Sequence, residues 1–207
     1  MTTALALAAL LAAPARAAEA PSRAETLYAL GAQVAQDYSL KPSEAKEVAA
    51  GLADAAAGRA LKSDPAVLHS QLALLKVQAA DAKREAELDR YAQEKGAERL
   101  PSGLIFKMIK KGDGPTPAAT NTVKVDYTGT FPDGRVFDSS IKRGEPAEFP
   151  LGGVIPCWTQ GVQMMPVGSE AQLVCPFNLA YGERGRPPVI PERATLVFDV
   201  HLLGIVR

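Results

Sequence analysis

Two regimes of hydrophobic spacing divide the 207-residue chain near Gly103. Before that point apolar residues recur every three or four positions, which places them on one face of a helix; beyond it they alternate, as in half-buried strands. Ser22 followed by Glu25 spells a capping box, and Leu27, Leu30, Val34 and Tyr38 line one face of the helix it opens. Pro42 opens a second helix carrying Val48 and Leu52. Asp64-Pro65 forms an N-cap and first-turn pair for a third, along which Leu68, Leu72, Leu75, Ala79, Ala82 and Ala86 make a heptad-like seam. Three such helices make a thin core, so their apolar faces require cover, either from the C-terminal domain or from a second copy of the same module, and self-association is the expectation. The charged run from Asp81 to Arg99 is expected to be a solvated helix connecting two parts of the chain.

From Leu104 onward the alternation predicts a small antiparallel sheet. LIFKMIK is one strand; VKVDYTGT is the next, with Val123, Val125 and Tyr127 on one face; RVFDSS follows the turn Pro132-Asp133-Gly134. AQLVC puts Ala171, Leu173 and Cys175 on one face, and TLVFDVHLL turns Leu196, Phe198, Val200 and Leu202 inward against Asp199 and His201 outward. Between these strands VIPCWTQGVQMM is the one segment with the character of a short helix. A sheet crossed by a single helix leaves a hollow, and Trp158, the only tryptophan, falls at that helix's start. The fold class is therefore α+β: a twisted antiparallel sheet wrapped on one short helix, preceded by an all-α module.

Composition adds less than the pattern does. At 47% hydrophobic residues the chain can bury a real core, and 23 basic against 23 acidic residues give no general attraction to nucleic acid or anionic membranes. At the N-terminus an uncharged run from Ala4 to Ala13, followed by Ala15-Arg16-Ala17, predicts a signal peptide over residues 1–17; no Lys or Arg precedes it, and it is too short to span a bilayer. Its removal would leave a net charge of −1 and a periplasmic or secreted protein with no stable membrane insertion.

Conventional catalytic groups are scarce. His69 and His201 fall in different modules at positions expected to be surface, and the chain contains no GxSxG, Walker loop, CxxC or HExxH. No metal and no cofactor is expected. The C-terminal half supplies instead aromatic and branched apolar residues beside Gly/Pro loops: Tyr127, Phe137, Val154, Ile155, Trp158, Tyr181, Ile190 and Phe198. Together they describe an apolar cleft with two phenols and one carboxylate, Asp138, at its rim.

The blocks VDYTGTFPDGRVFDSS, GGVIPCWTQGVQMMPVGS, LAYGERGRPPVIP and TLVFDVHLL, in this order and spacing, resemble an FKBP-type peptidyl-prolyl cis-trans isomerase over residues 103–207. The helices of residues 18–102, with YALGAQVAQDY, resemble the N-terminal module of secreted bacterial two-domain members, the FkpA and macrophage-infectivity-potentiator (Mip) group. The resemblance implies a rotamase that accelerates folding of exported chains, with chaperone activity and a homodimer formed through the N-terminal helices. It also implies X-Pro segments as substrates and macrolides such as tacrolimus and rapamycin as inhibitors.

Carried over by position, Trp158 is the floor for the prolyl ring, with Tyr127, Phe137, Val154, Ile155 and Phe198 as walls. The Ile155 N–H and the Tyr181 hydroxyl hold substrate carbonyls, Asp138 faces the twisting amide with Arg143 as its partner, and Ile190 closes one side. Ala147 and Arg186 stand where single-domain members often carry an aromatic and a histidine, and LGGVIP is shorter than theirs, which bears on substrate preference and macrolide affinity. Cys157 and Cys175 are an even pair in a chain expected to be exported, so a disulfide and two buried thiols both remain open. The competing functional reading is a binding module, an FKBP-fold chaperone or host-interaction factor with little turnover.

Overall fold

The computed structural model describes residues 21–62 and 69–206, in two compact units that divide between Lys76 and Val77. The signal-peptide expectation, Asp64-Pro65 and Leu68 lie outside the described residues.

In the first unit, α1 spans Arg23–Asp37 and α2 spans Pro42–Ala56. The capping box at Ser22 forms as the sequence requires: the Ser22 hydroxyl accepts from Glu25 N–H at 3.2 Å, and Ser22 N–H donates to the Glu25 carboxylate at 2.7 Å. Hydrogen bonding of the carboxylate to the Ser22 side chain first, and to the Ser22 N–H second, holds the Glu25 carboxyl below its ordinary range. Pro42 sits in the first turn of α2, where its missing N–H costs nothing. Neither helix buries a residue: Leu27, Leu30 and Leu52 are all more than half exposed.

The third helix, α3, spans His69–Ala92. Leu72 and Leu75 on its predicted seam are nearly half exposed, whereas Leu88, inside the charged run, is buried. Here the structure departs from the solvated connector the sequence suggested. Leu88, with Tyr91 and Ala92, packs on Ile105, Val174 and Val197, outward-facing residues of three adjacent strands. Burying one leucine this way stabilises by about 1.5–3 kcal/mol.

The sheet is antiparallel, in the order β1 (Ala97–Arg99), β2 (Ile105–Lys110), β6 (Glu170–Cys175), β7 (Leu196–Ile205), β3 (Thr122–Thr130), β4 (Val136–Ser139), with β5 (Ala147–Pro150) also paired to β3. The first half of β3 pairs with β5 and the second half with β4, so one strand carries two short partners end to end. Its concave face presents Val123, Val125 and Tyr127 beside Leu173, Phe198, Val200 and Leu202, as the alternation predicted. Across this face lies α5 (Pro156–Val162), burying Cys157, Trp158, Gly161 and Val162. Gly161 permits the approach, since a Cβ there would meet the Leu173 side chain at 2.6 Å.

A short helix that the sequence did not suggest, α4 (Ser140–Arg143), follows β4 directly, capped by the Ser139 hydroxyl and ended by Gly144 at φ 83°.

Candidate active site

Between α5, β3, β4 and β7 lies an open cavity of about 340 Å³ with Trp158 at its base. The indole is only 4% exposed and meets Tyr127, Phe149 and Phe198 nearly perpendicularly, with ring centroids 5.2, 5.6 and 5.4 Å away. Edge-to-face contact of this kind is favourable beyond area burial and leaves little freedom to tilt. The indole Nε1 has no partner among the described residues. Phe137, standing perpendicular to Phe198 at 5.6 Å, forms a further wall. Both rings close in over Gly129, where a Cβ would lie 2.6 Å from Phe137 and 3.0 Å from Phe198.

The polar groups gather on one side. Tyr127 Oη donates to Asp138 Oδ2 at 2.5 Å, Arg143 pairs with the other carboxylate oxygen, and its second terminal nitrogen donates to Tyr127 Oη at 3.1 Å. The three side chains thus close a ring of hydrogen bonds. Arg143 reaches it because α4 is pinned to β3: Ser140 Oγ accepts from Tyr127 N–H at 2.9 Å and donates to Asp126 at 2.8 Å. Burial first, and the bond to Asp138 second, push the Tyr127 phenol above its ordinary 10.0. The bonds to Tyr127 and Asp138 likewise raise the Arg143 guanidinium.

For the raised phenol the folded chain keeps a proton that the unfolded chain loses, so stability falls as pH rises past about 10. Below that the phenol stays protonated. Catalytic efficiency is therefore expected to be flat between about pH 6 and 9, and a bell-shaped profile in that window would assign the chemistry to a titrating base.

Most of the residues singled out by sequence converge here: Tyr127, Phe137, Asp138, Val154, Ile155, Trp158, Tyr181 and Phe198 all line the cavity. Ile155 precedes α5, its carbonyl accepting from Trp158 N–H at 2.9 Å, while its own N–H bonds to none of the described residues. Arg143 stands behind Asp138 rather than in the lining. Ile190, 4% exposed, lines an adjoining hollow of about 320 Å³ that shares Phe137, Asp138, Tyr181 and Arg186 with this cavity. Arg186 and Ile190 exchange backbone hydrogen bonds of 2.8 and 3.0 Å that close the loop between them.

Cys157 and Cys175 form a disulfide, buried completely, that ties α5 to β6 one residue from the indole. His201 faces outward on β7 among Asp126, Glu170 and Asp199, away from the cleft. No group of three or more His, Cys, Asp and Glu among the described residues is placed to hold a metal.

Phe149, Gly153 and Arg186 also line the cleft and were not assigned to it from sequence. Phe149 lies on β5, four residues ending in Pro150, too short for alternation to show.

A curled antiparallel sheet holding a solvent-open, aromatic-floored hollow against one short helix makes this an α+β protein with a cleft shaped for an apolar group. Residues 114–203 match the sequence pattern of the FKBP-type peptidyl-prolyl cis-trans isomerase family. The FKBP-type 22 kDa peptidyl-prolyl cis-trans isomerase of Escherichia coli K12 is 42% identical over 88% of this chain and 95% of its own length. FkpA of the same strain is 38% identical over 87% of this chain and 75% of its own. The crystal structure of E. coli FkpA superposes with a TM-score of 0.59 at 36% identity, covering 87% of this chain and 95% of that one. A peptidyl-prolyl isomerase structure from Pseudomonas syringae pv. tomato gives the same TM-score at 33% identity, over 63% and 96% of the two chains. The chain belongs to the FKBP-type peptidyl-prolyl cis-trans isomerases and acts on proline-containing polypeptides.

Proposed function

We propose that the chain isomerises X–Pro bonds in unfolded or partly folded exported polypeptides by seating the prolyl ring on Trp158. The observation that carries this reading is the indole itself, boxed by three rings yet opening on a solvent-reachable hollow.

Rotation about a peptide bond meets a barrier of ~18–20 kcal/mol because the nitrogen lone pair is delocalised into the carbonyl. For X–Pro the two isomers lie close in energy but interconvert slowly, over tens to hundreds of seconds. Twisting the bond ends the delocalisation and reduces charge separation, so the transition state is less polar than the planar ground state. A water-poor aromatic cleft favours the less polar species, with no nucleophile, base or metal required. The Ile155 N–H and the Tyr181 hydroxyl hold flanking carbonyls, and Asp138, fixed by Tyr127 and Arg143, faces the amide as it turns. A protease-coupled assay on an X–Pro tetrapeptide tests this; a rate equal to the uncatalysed one would leave only a binding module.

The first 17 residues serve as a signal peptide in this reading, and the mature protein acts in the periplasm or outside the cell. No helix among the described residues is long and apolar enough to cross a membrane, and a relative from Legionella longbeachae is named outer membrane protein MIP. Tacrolimus and rapamycin are expected to compete for the cleft. The helices of residues 18–102 make a homodimer and add chaperone grip on clients, for which the exposed leucines of α1 and α2 are the support. Mature protein is therefore expected to sediment as a dimer and Leu27→Glu with Leu52→Glu as a monomer, with tetrapeptide turnover kept. Monomers in both cases would remove the dimer.

A further inference from the structure

We propose that Arg186 gives this isomerase a preference for a carboxylate on the residue preceding proline. Asp138 and Arg186 are the charged residues lining both the indole-floored cavity and the adjoining hollow. The two are not equivalent. Asp138 is neutralised by Arg143 and bonded by Tyr127. No carboxylate among the described residues lies within ion-pairing distance of Arg186; Glu183, on the same loop, faces Arg193 instead. The cleft therefore offers a substrate one uncompensated positive charge.

That charge stands on a well-defined base. Arg186 exchanges backbone hydrogen bonds with Ile190, and Gly185, at φ +63°, packs so closely that a Cβ would lie 2.2 Å from the Pro191 carbonyl oxygen. Pro187 and Pro188 follow directly, each with φ restricted by its ring.

The choice of substrate residue rests on the reading proposed above. With the prolyl ring on Trp158 and Asp138 facing the amide, the residue that owns the amide carbonyl lies on the Asp138 side. There the second hollow begins, shared through Phe137, Asp138, Tyr181 and Arg186 and continued by Val189 and Ile190. A glutamate fits this lining in both parts: its methylenes lie along the exposed Val189 and its carboxylate meets the guanidinium. Arg186 is solvent-exposed, so the gain is that of an exposed pair, roughly two- to fivefold in kcat/KM, and salt weakens it.

The test compares Ala-Glu-Pro-Phe, Ala-Lys-Pro-Phe and Ala-Leu-Pro-Phe on the intact protein at low ionic strength. The expected ratio of kcat/KM for the Glu over the Lys peptide is roughly two to five. It should fall towards one in Arg186→Gln and in high salt, and invert in Arg186→Glu. A ratio near one in the unsubstituted protein, or one that Arg186→Glu leaves in place, overturns the assignment while turnover of the Leu peptide keeps the isomerase reading intact. No acceleration of any of the three peptides overturns both.

Discussion

Asp138→Ala is expected to lower kcat/KM on an X–Pro peptide about tenfold or more, a loss of about 1.4 kcal/mol of transition-state stabilisation. Unfolding free energy should change by no more than about 1 kcal/mol, because the Asp138 and Arg143 side chains are 42% and 45% exposed and pairs so open to water contribute little. The asymmetry is the point. In the folded ground state the carboxylate makes two contacts at the surface, whereas in the proposed mechanism it faces the bond that is changing. Denaturant midpoints and protease-coupled rates on the same preparations give the comparison, and Asp138→Asn separates charge from shape. Equal losses of stability and turnover would make Asp138 a structural clamp only. Trp158→Ala is a less selective probe: the indole is 4% exposed and contacts three rings, so its removal should cost about 3–5 kcal/mol of stability along with the activity.

Removing the disulfide is expected to act on stability far more than on turnover. Cys157 and Cys175 are 18 positions apart, and closing a loop of that length restricts the unfolded chain enough to stabilise the fold by about 3 kcal/mol. Replacing both cysteines with alanine should lower the unfolding free energy by about that amount. Turnover at a temperature where the variant stays folded should fall less than about threefold, since three aromatic contacts still hold Trp158 in place. The two sulfurs are bonded to each other, so thiol titration in denaturant without reductant should find no free sulfhydryl. Two free sulfhydryls in that titration, or an unchanged denaturant midpoint in the double variant, would contradict this account.

How far the sequence carried the fold depended on element length. β3, β6 and β7 alternate over six to ten residues, and their inward residues were legible from spacing. Val174 and Val197 look like breaks in that alternation; they are buried because α3 covers the outer face of the sheet, and its anchor, Leu88, is hidden among charges. β1, β5 and α4 have three or four residues each, too few for any period to emerge. With them went Phe149 and the means by which Arg143 reaches Asp138. For the cleft, composition and spacing indicated only that aromatics collect near one helix. Trp158 as floor and Asp138 as the group facing the amide came from the resemblance of four sequence blocks, and the cavity then brought those residues together. The backbone bonding of Arg186 and Ile190, which closes the loop beside the cleft, leaves no mark in the sequence.

The central claim is that an apolar hollow floored by Trp158 relaxes amide resonance without proton transfer. Exchange NMR on a proline tetrapeptide with a catalytic amount of protein measures this directly, because both isomers are observed at equilibrium and no coupled protease intervenes. The account predicts cis–trans exchange far faster than in the free peptide, with the same enhancement at about pH 6 and about pH 9. Exchange no faster than in the free peptide, or acceleration that vanishes as a group titrates within that range, would contradict it.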